Sequence, residues 1–400
     1  MLRDDNEPIA AFEPLLIGQT SPHLPALQDL AFELTAKSAA FGASLPQPLT
    51  PALADLVRSM NCYYSNLIEG HNTHPVDIER ALAEDYSTDP RKRDLQLEAR
   101  AHIAVQKWID EDGLTRMMLP ATSPAAILEL HRRFCLELPG DLLWATDPFT
   151  GKTSQVVPGE FREQFVQVGR HTSISPGAVP RFLARMHDVY GQPGRSTAVL
   201  AAACAHHRLL WVHPFLDGNG RVARLMSYAM LRSALNTQGL WSVSRGLARQ
   251  VDAYKRHLQA CDAPRQGDLD GRGSLSEKAL AAFVRFFLSS CIDQVDFMAK
   301  LMRPDELERR VAIWTEEQIR ASLLPPKSDI VLKAILYRGS IERGEIGPLV
   351  GLSERGARRI TSALLSAGVI RSASTRAPLA LALPAKYADR WMPGLFPAST

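Results

Sequence analysis

Apolar residues recur three and four positions apart along most of this 400-residue chain, the spacing that lines one face of an α-helix. The segments LPALQDLAFELTAKSAAF (24–41), PALADLVRSMNCYYSNLIEG (51–70) and RDLQLEARAHIAVQKWID (93–110) each carry such a stripe. Pro46, Pro48, Pro51, Gly70 and Pro75 punctuate them, because proline breaks a helix interior and glycine favours its end. The same pattern returns in VPRFLARMHDVYG (179–191), TAVLAAACAHHRLLWV (197–212) and GRVARLMSYAMLRSAL (220–235). It also fills a long stretch from Leu275 to Leu324, which Pro325 and Pro326 end. Between these runs, TSQVVPGEFREQFVQVG (153–169) gathers β-branched and aromatic residues around Pro158-Gly159, which predicts a short β-hairpin over about 152–172.

Beyond the double proline the pattern changes again. RGEIGPLVGLSERGARRITSALLSAGVI (343–370) reads as helix, glycine-containing turn and second helix capped by Ser353, and VIRSASTRAPLALAL (369–383) as two strands around a wing. The expectation is a mainly all-α protein divided into a helical N-terminal region (1–110), a helical core (111–324) and a small winged helix-turn-helix module (325–400).

The 46% of hydrophobic side chains is ample for a large core. A net charge of +3 is too small for a surface wrapped in nucleic acid, but residues 326–390 hold 11 Lys/Arg against 5 Asp/Glu, so any such contact is local to that module. Five scattered cysteines without a C-x-x-C pair argue against a disulfide framework or a zinc site and fit a reducing cytoplasm. No apolar run is long enough to span a bilayer, and MLRDDNEPIA lacks the apolar core of a signal peptide, so no membrane partner is expected.

The chemistry concentrates in HPFLDGNGRVAR, residues 213–224, directly after the apolar LLWV. A helix starting near Gly218 or Asn219 would aim the first-turn N–H groups and the positive end of the macrodipole at an anion, with glycines that let a phosphate approach the backbone. Arg221 and Arg224, three apart, would add two guanidinium forks on one face. Asp217 is a hard oxygen donor suited to Mg²⁺ (or Mn²⁺) bridging to phosphates, and His213 has the near-neutral pKa of a general base. Any one of these residues alone would serve as a cap or a satisfied core polar group; the whole set at this spacing asks for more.

The stretch resembles, position for position, the H-x-F-x-(D/E)-G-N-G-R-x-x-R signature of Fic domains, many of which transfer AMP from ATP onto protein hydroxyls. The resemblance implies His213 as general base for a Tyr, Thr or Ser hydroxyl and Asp217 as metal ligand. It also implies Gly218, Asn219 and Gly220 as an anion hole, with Arg221 and Arg224 on the phosphates of ATP. In that family the hairpin is a flap whose edge pairs with the target protein, and Tyr254, in YKRHLQACD, sits on a helix that lines the nucleotide pocket.

Upstream, SNLIEG puts Ser65 and Glu69 at i and i+4 before Gly70 and is similar to the (S/T)-x-x-x-E-(G/N) inhibitory motif of the same family. The likeness implies an inhibitory helix at about 52–70 whose Glu69 pairs with Arg224 and blocks the seat of the γ-phosphate, as in members with an N-terminal inhibitory helix. Independently of any family, a carboxylate in an arginine fork competes with phosphate for it.

In the C-terminal module Arg355, Arg358 and Arg359 on the second helix, with Arg371 and Arg376 at the wing, are candidates for contact with DNA; the same fold also serves protein contacts and homodimers. The leading expectation is thus an autoinhibited AMP transferase that modifies a target protein or itself. Its rivals are a relative that removes AMP or transfers another nucleotidyl or phosphoryl group, and a nucleotide-sensing DNA-binding regulator.

Overall fold

The computed structural model describes residues 2–147 and 150–397, so the last three positions of the expected 325–400 module lie outside it. The N-terminal third is helical: α1 (Leu24–Ser44), α2 (Thr50–Ile68), α3 (Pro75–Leu82), α4 (Pro90–Asp110), the short α5 (Gly113–Arg116) and α6 (Pro124–Leu136). Their starts follow local chemistry. Asp89 caps α4 by accepting from the N–H groups of Arg91 and Lys92, Ser123 caps α6 at Ala126, and Pro90 and Pro124 each stand directly behind the cap.

The middle of the chain supplies α7 (Val179–Tyr190), α8 (Ala198–Val212), α9 (Asn219–Leu235), α10 (Ser244–Arg249) and α11 (Val251–Cys261). Next comes α12 (Glu277–Leu301), capped by Ser276, and then α13 (Pro304–Arg320). The long helical stretch Leu275–Leu324 is divided into two helices, because Pro304 takes the first turn of α13 and cannot continue α12. Helices α8 and α9 form the centre: α8 is buried along nearly its whole length and packs on α9, with α7 and α12 against its other faces.

The α2 helix packs on α4 and α10, and most of its side chains are buried. Several of its polar members are paired there: Asn61 donates to Gln106 at 2.6 Å and accepts from Ser242, and Arg58 pairs with Asp110 at 2.7 Å.

Strand pairing differs from the single hairpin expected over 152–172. Two separate antiparallel hairpins are present, β1 (Trp144–Thr146) with β2 (Thr153–Gln155) and β3 (Gln167–Val168) with β4 (His171–Thr172). Pro158-Gly159 lies in the loop between them, where the Gly159 N–H donates to His131 Nδ1 at 3.0 Å and so cannot close a ladder.

The C-terminal module contains α14 (Ser328–Arg338), β5 (Ser340–Ile341), α15 (Ile346–Val350), α16 (Glu354–Ser366), β6 (Ile370–Arg371) and β7 (Leu379–Leu381), with antiparallel strands in the order β5-β7-β6. Arg355, Arg358 and Arg359 are exposed on α16, with Arg358 paired to Glu354 at 3.0 Å. Arg371 pairs with Asp55 of α2, with both side chains part-exposed.

The chain then runs through α17 (Ala388–Trp391) and closes back on the core. The Tyr64 hydroxyl of α2 donates to the Leu395 carbonyl at 3.0 Å, Arg245 donates to the Gly394 carbonyl at 2.9 Å, and Tyr63 meets Phe396 edge to face. One contiguous core runs from Phe12 to Phe396, so the boundaries expected at 110 and 324 interrupt the sequence but not the packing. No helix among the described residues is long and apolar enough to cross a membrane.

Candidate active site

The turn from α8 to α9 is built by four residues with distinct tasks. His213 ends α8 in the left-handed region (φ 50°, ψ 64°), an uncommon conformation for a non-glycine residue that the surroundings must hold in place. Phe215 is fully buried and stacks flat on His131, with ring centroids 3.9 Å apart. The Asn219 amide clamps the loop, accepting from the Phe215 N–H at 2.9 Å and donating to its carbonyl at 2.8 Å. Gly218, at φ 82°, is the N-cap of α9, so the N–H groups of Asn219, Gly220 and Arg221 occupy the open first turn.

His213 Nδ1 lies 3.2 Å from the Leu210 carbonyl, which fixes the proton on that nitrogen and leaves the Nε2 lone pair free. Burial pushes its pKa down to about 4, with smaller help from Arg162 and His171, so the ring is an unprotonated base at neutral pH.

His213 is one wall of a cavity of about 550 Å³, a size suited to a nucleotide or another small ligand. Gly220, Arg224 and Tyr254 form other walls; the rim carries Gly169, Arg170 and His171 of the β3–β4 hairpin, and the far end Gln259 and Asp262. Tyr254 is buried and belongs to a directed chain: Ser227 donates to the Ala223 carbonyl, His206 Nδ1 donates to Ser227, and His206 Nε2 accepts from the Tyr254 hydroxyl at 2.7 Å.

Glu69 enters the same cavity from the end of α2. Arg224, 3% exposed, donates from Nε to the Ser65 hydroxyl at 2.8 Å and from a terminal nitrogen to Glu69 Oε1 at 2.5 Å. Burial alone would raise the Glu69 pKa, but Arg224, aided by Arg221 and His71, outweighs it and holds the carboxyl below its ordinary range. Gly70 permits this ending, since its φ of 89° turns the chain away directly after Glu69.

Not every expected residue faces the cavity. Arg221 is buried and turned away from the cavity, where it pairs with Glu98 of α4 at 2.8 Å and lies over the Phe134 ring. Residues three apart on a helix differ by roughly 60° in direction, and a buried carboxylate on the neighbouring helix takes this guanidinium. Asp217 is exposed, and the described residues hold no cluster of three or more metal-ligating side chains.

Sequence reasoning missed Arg162 and His131, which hold the loop from beneath. Arg162 donates from Nε to the His213 carbonyl at 2.7 Å, and His131 stacks on Phe215. A buried arginine looks like a solvated one in a single sequence, and no spacing marks either residue.

The closeness of Glu69 depends on Gly220, where an added Cβ would lie 2.4 Å from Glu69 Oε1. Gly220→Ala is expected to destabilise the protein by roughly 1–3 kcal/mol, the usual cost of overpacking, seen as a lower melting temperature. In a Glu69→Gly background most of the penalty should disappear, leaving only the Arg224 terminal nitrogen 3.1 Å from the added Cβ. A penalty unchanged there would place the clash elsewhere.

Residues 121–231 match the Fic/DOC family model. A protein adenylyltransferase Fic from Drosophila willistoni is 30% identical over 174 residues, covering 43% of this chain and 31% of that protein. Its counterpart from Drosophila melanogaster is also 30% identical over 174 residues, covering 43% of this chain and 32% of that protein. The chain thus spans about a third of the length of these curated relatives. The crystal structure of a Fic family protein from Desulfovibrio desulfuricans G20 superposes over 92% of this chain and 98% of that one, with a TM-score of 0.53 at 19% identity, a likeness of fold.

Proposed function

We propose that this chain, whose residues 121–231 match the Fic/DOC family model, moves AMP from ATP to a Tyr, Thr or Ser hydroxyl of a target protein or of itself, and that Glu69 holds the resting state back. The observation that carries the reading is the placement of the Glu69–Arg224 pair in the same cavity as the unprotonated His213.

In this reading the triphosphate lies along the first turn of α9, where open N–H groups and the helix dipole favour an anion. The acceptor enters past the β3–β4 hairpin at the rim, adding its backbone to the strand edge. His213 Nε2 takes the hydroxyl proton, the oxygen bonds to the α-phosphorus, and the bond to the β-phosphate oxygen breaks to release pyrophosphate.

Asp217, an exposed hard oxygen donor beside the first turn of α9, would hold a Mg²⁺ or Mn²⁺ ion of the kind usually bound by one or two carboxylates together with substrate phosphates. When bound, the ion would neutralise phosphate charge. Glu69 occupies the Arg224 fork that a terminal phosphate would need, so productive ATP binding requires the carboxylate to leave.

Incubation with α-³²P-ATP and, separately, γ-³²P-ATP in Mg²⁺ tests the reaction. Label in protein from the α position alone is expected. Label from γ would mean phosphoryl transfer, and none from either, even after Glu69 is replaced, would refute the reading.

A further inference from the structure

We infer that Arg162 is a positioning residue: one buried guanidinium joins both ends of the β3–β4 hairpin to the main chain of His213, so that the surface offered to the acceptor and the base that deprotonates it move as one unit. Arg162 is 1% exposed. Its guanidinium donates to the carbonyls of His213 at 2.7 Å, Gln164 at 2.9 Å, Ile174 at 2.7 Å and Val212 at 3.4 Å, and its own N–H donates to the Pro214 carbonyl at 2.9 Å. Gln164 precedes β3 and Ile174 follows β4, so the hairpin is tied at both ends.

All of those hydrogen bonds end on main-chain carbonyls, so the cation is stabilised by dipoles at a place where burial is costly. Burial pulls its pKa down to about 10, which still leaves it charged at neutral pH. Two consequences follow at His213. The carbonyl of a residue in the left-handed region is anchored, which fixes the direction of its imidazole. A positive charge beneath the ring also disfavours a second one on it. The other groups facing the ring are His171 from β4, which acts in the same direction, and Glu69 from the end of α2, which opposes it.

The activity of Arg162 variants rests on the reading of His213 as the base, whereas their effect on the His213 ring does not. The experiment therefore has two arms, both in Glu69→Gly protein with folding checked by near-UV circular dichroism. Arg162→Gln removes the charge and most donors; Arg162→Lys keeps the charge but cannot span four carbonyls.

In the first arm, kcat for label transfer is expected to fall by roughly 100-fold in Arg162→Gln with KM for ATP unchanged, the scale of a misplaced reacting group. Its acid limb should move to higher pH, and Arg162→Lys should return the limb to its original place. In the second arm, the His213 titration followed by NMR should move upward in Arg162→Gln and stay in Arg162→Lys. An unmoved acid limb and an unmoved titration in Arg162→Gln would overturn the proposal, as would equal losses in kcat and ATP affinity. If the parent transfers no label yet the titration moves as described, the transfer reading fails and the hold of Arg162 on His213 stands.

Discussion

Glu69→Gly is expected to raise AMP transfer by about 10- to 100-fold over the wild-type protein at subsaturating ATP. The estimate follows from the pair that is removed. A charge-assisted hydrogen bond is worth about 1.5–3 kcal/mol, and that is the bias that phosphate must overcome at Arg224. With the Glu69 side chain 37% exposed, solvent screening favours the lower end.

Acid should loosen the same pair, in the range where His213 also takes up its proton. The Glu69 carboxyl is held below its ordinary range, so its hold on Arg224 is complete above pH 4.5 and fades only as pH falls through that lowered value. Near neutral pH, therefore, substitution or displacement frees the fork but titration does not. Label incorporation from α-³²P-ATP compares the two proteins, and a variant no faster than its parent would sink the switch.

The second large effect is expected at His213. In the Glu69→Gly background, His213→Ala should reduce transfer by roughly 10²- to 10⁴-fold, the usual contribution of a positioned general base. Nucleotide affinity, measured by titration calorimetry, should hold, because the imidazole is not part of the Arg224 fork. With the ring pKa pushed down to about 4, the base is free throughout the neutral range, and the rate should decline only as pH drops through that value. Substantial transfer by the His213→Ala protein would require another proton acceptor.

How much of this was legible in the sequence depends on how local each feature is. The α8–α9 turn was readable because its chemistry is contiguous: the glycine turn, the following helix and the preceding apolar helix all lie within a few residues. The helical spans were likewise carried by periodicity, and the break at Pro304 stood in plain view within a pattern otherwise strong enough to hide it.

The family likeness implied Glu69 on Arg224, but the partner of Arg221 could not be read: Arg221 and Arg224 look alike along the chain, and only the arrival of Glu98 from α4 turns Arg221 away. Strand pairing failed for a similar reason. The partner of Thr153–Gln155 is Trp144–Thr146, a segment too short to show a strand pattern, and the loop around Gly159 answers to His131, a residue 28 positions away.

The closing of the chain on α2 bears on how the protein is cut for study. A fragment ending at residue 324 would uncover the Tyr63 and Trp314 rings, which now meet Phe396, Tyr387 and Trp391. It would also take acceptors from the Tyr64 hydroxyl and the Arg245 guanidinium, and the ion-pair partner Arg371 from Asp55. Much of the injured surface, at Asp55, Tyr63 and Tyr64, lies on the helix that carries Ser65 and presents Glu69. Such a fragment is a different resting protein, and rates measured on it describe a helix that has lost its outer cover.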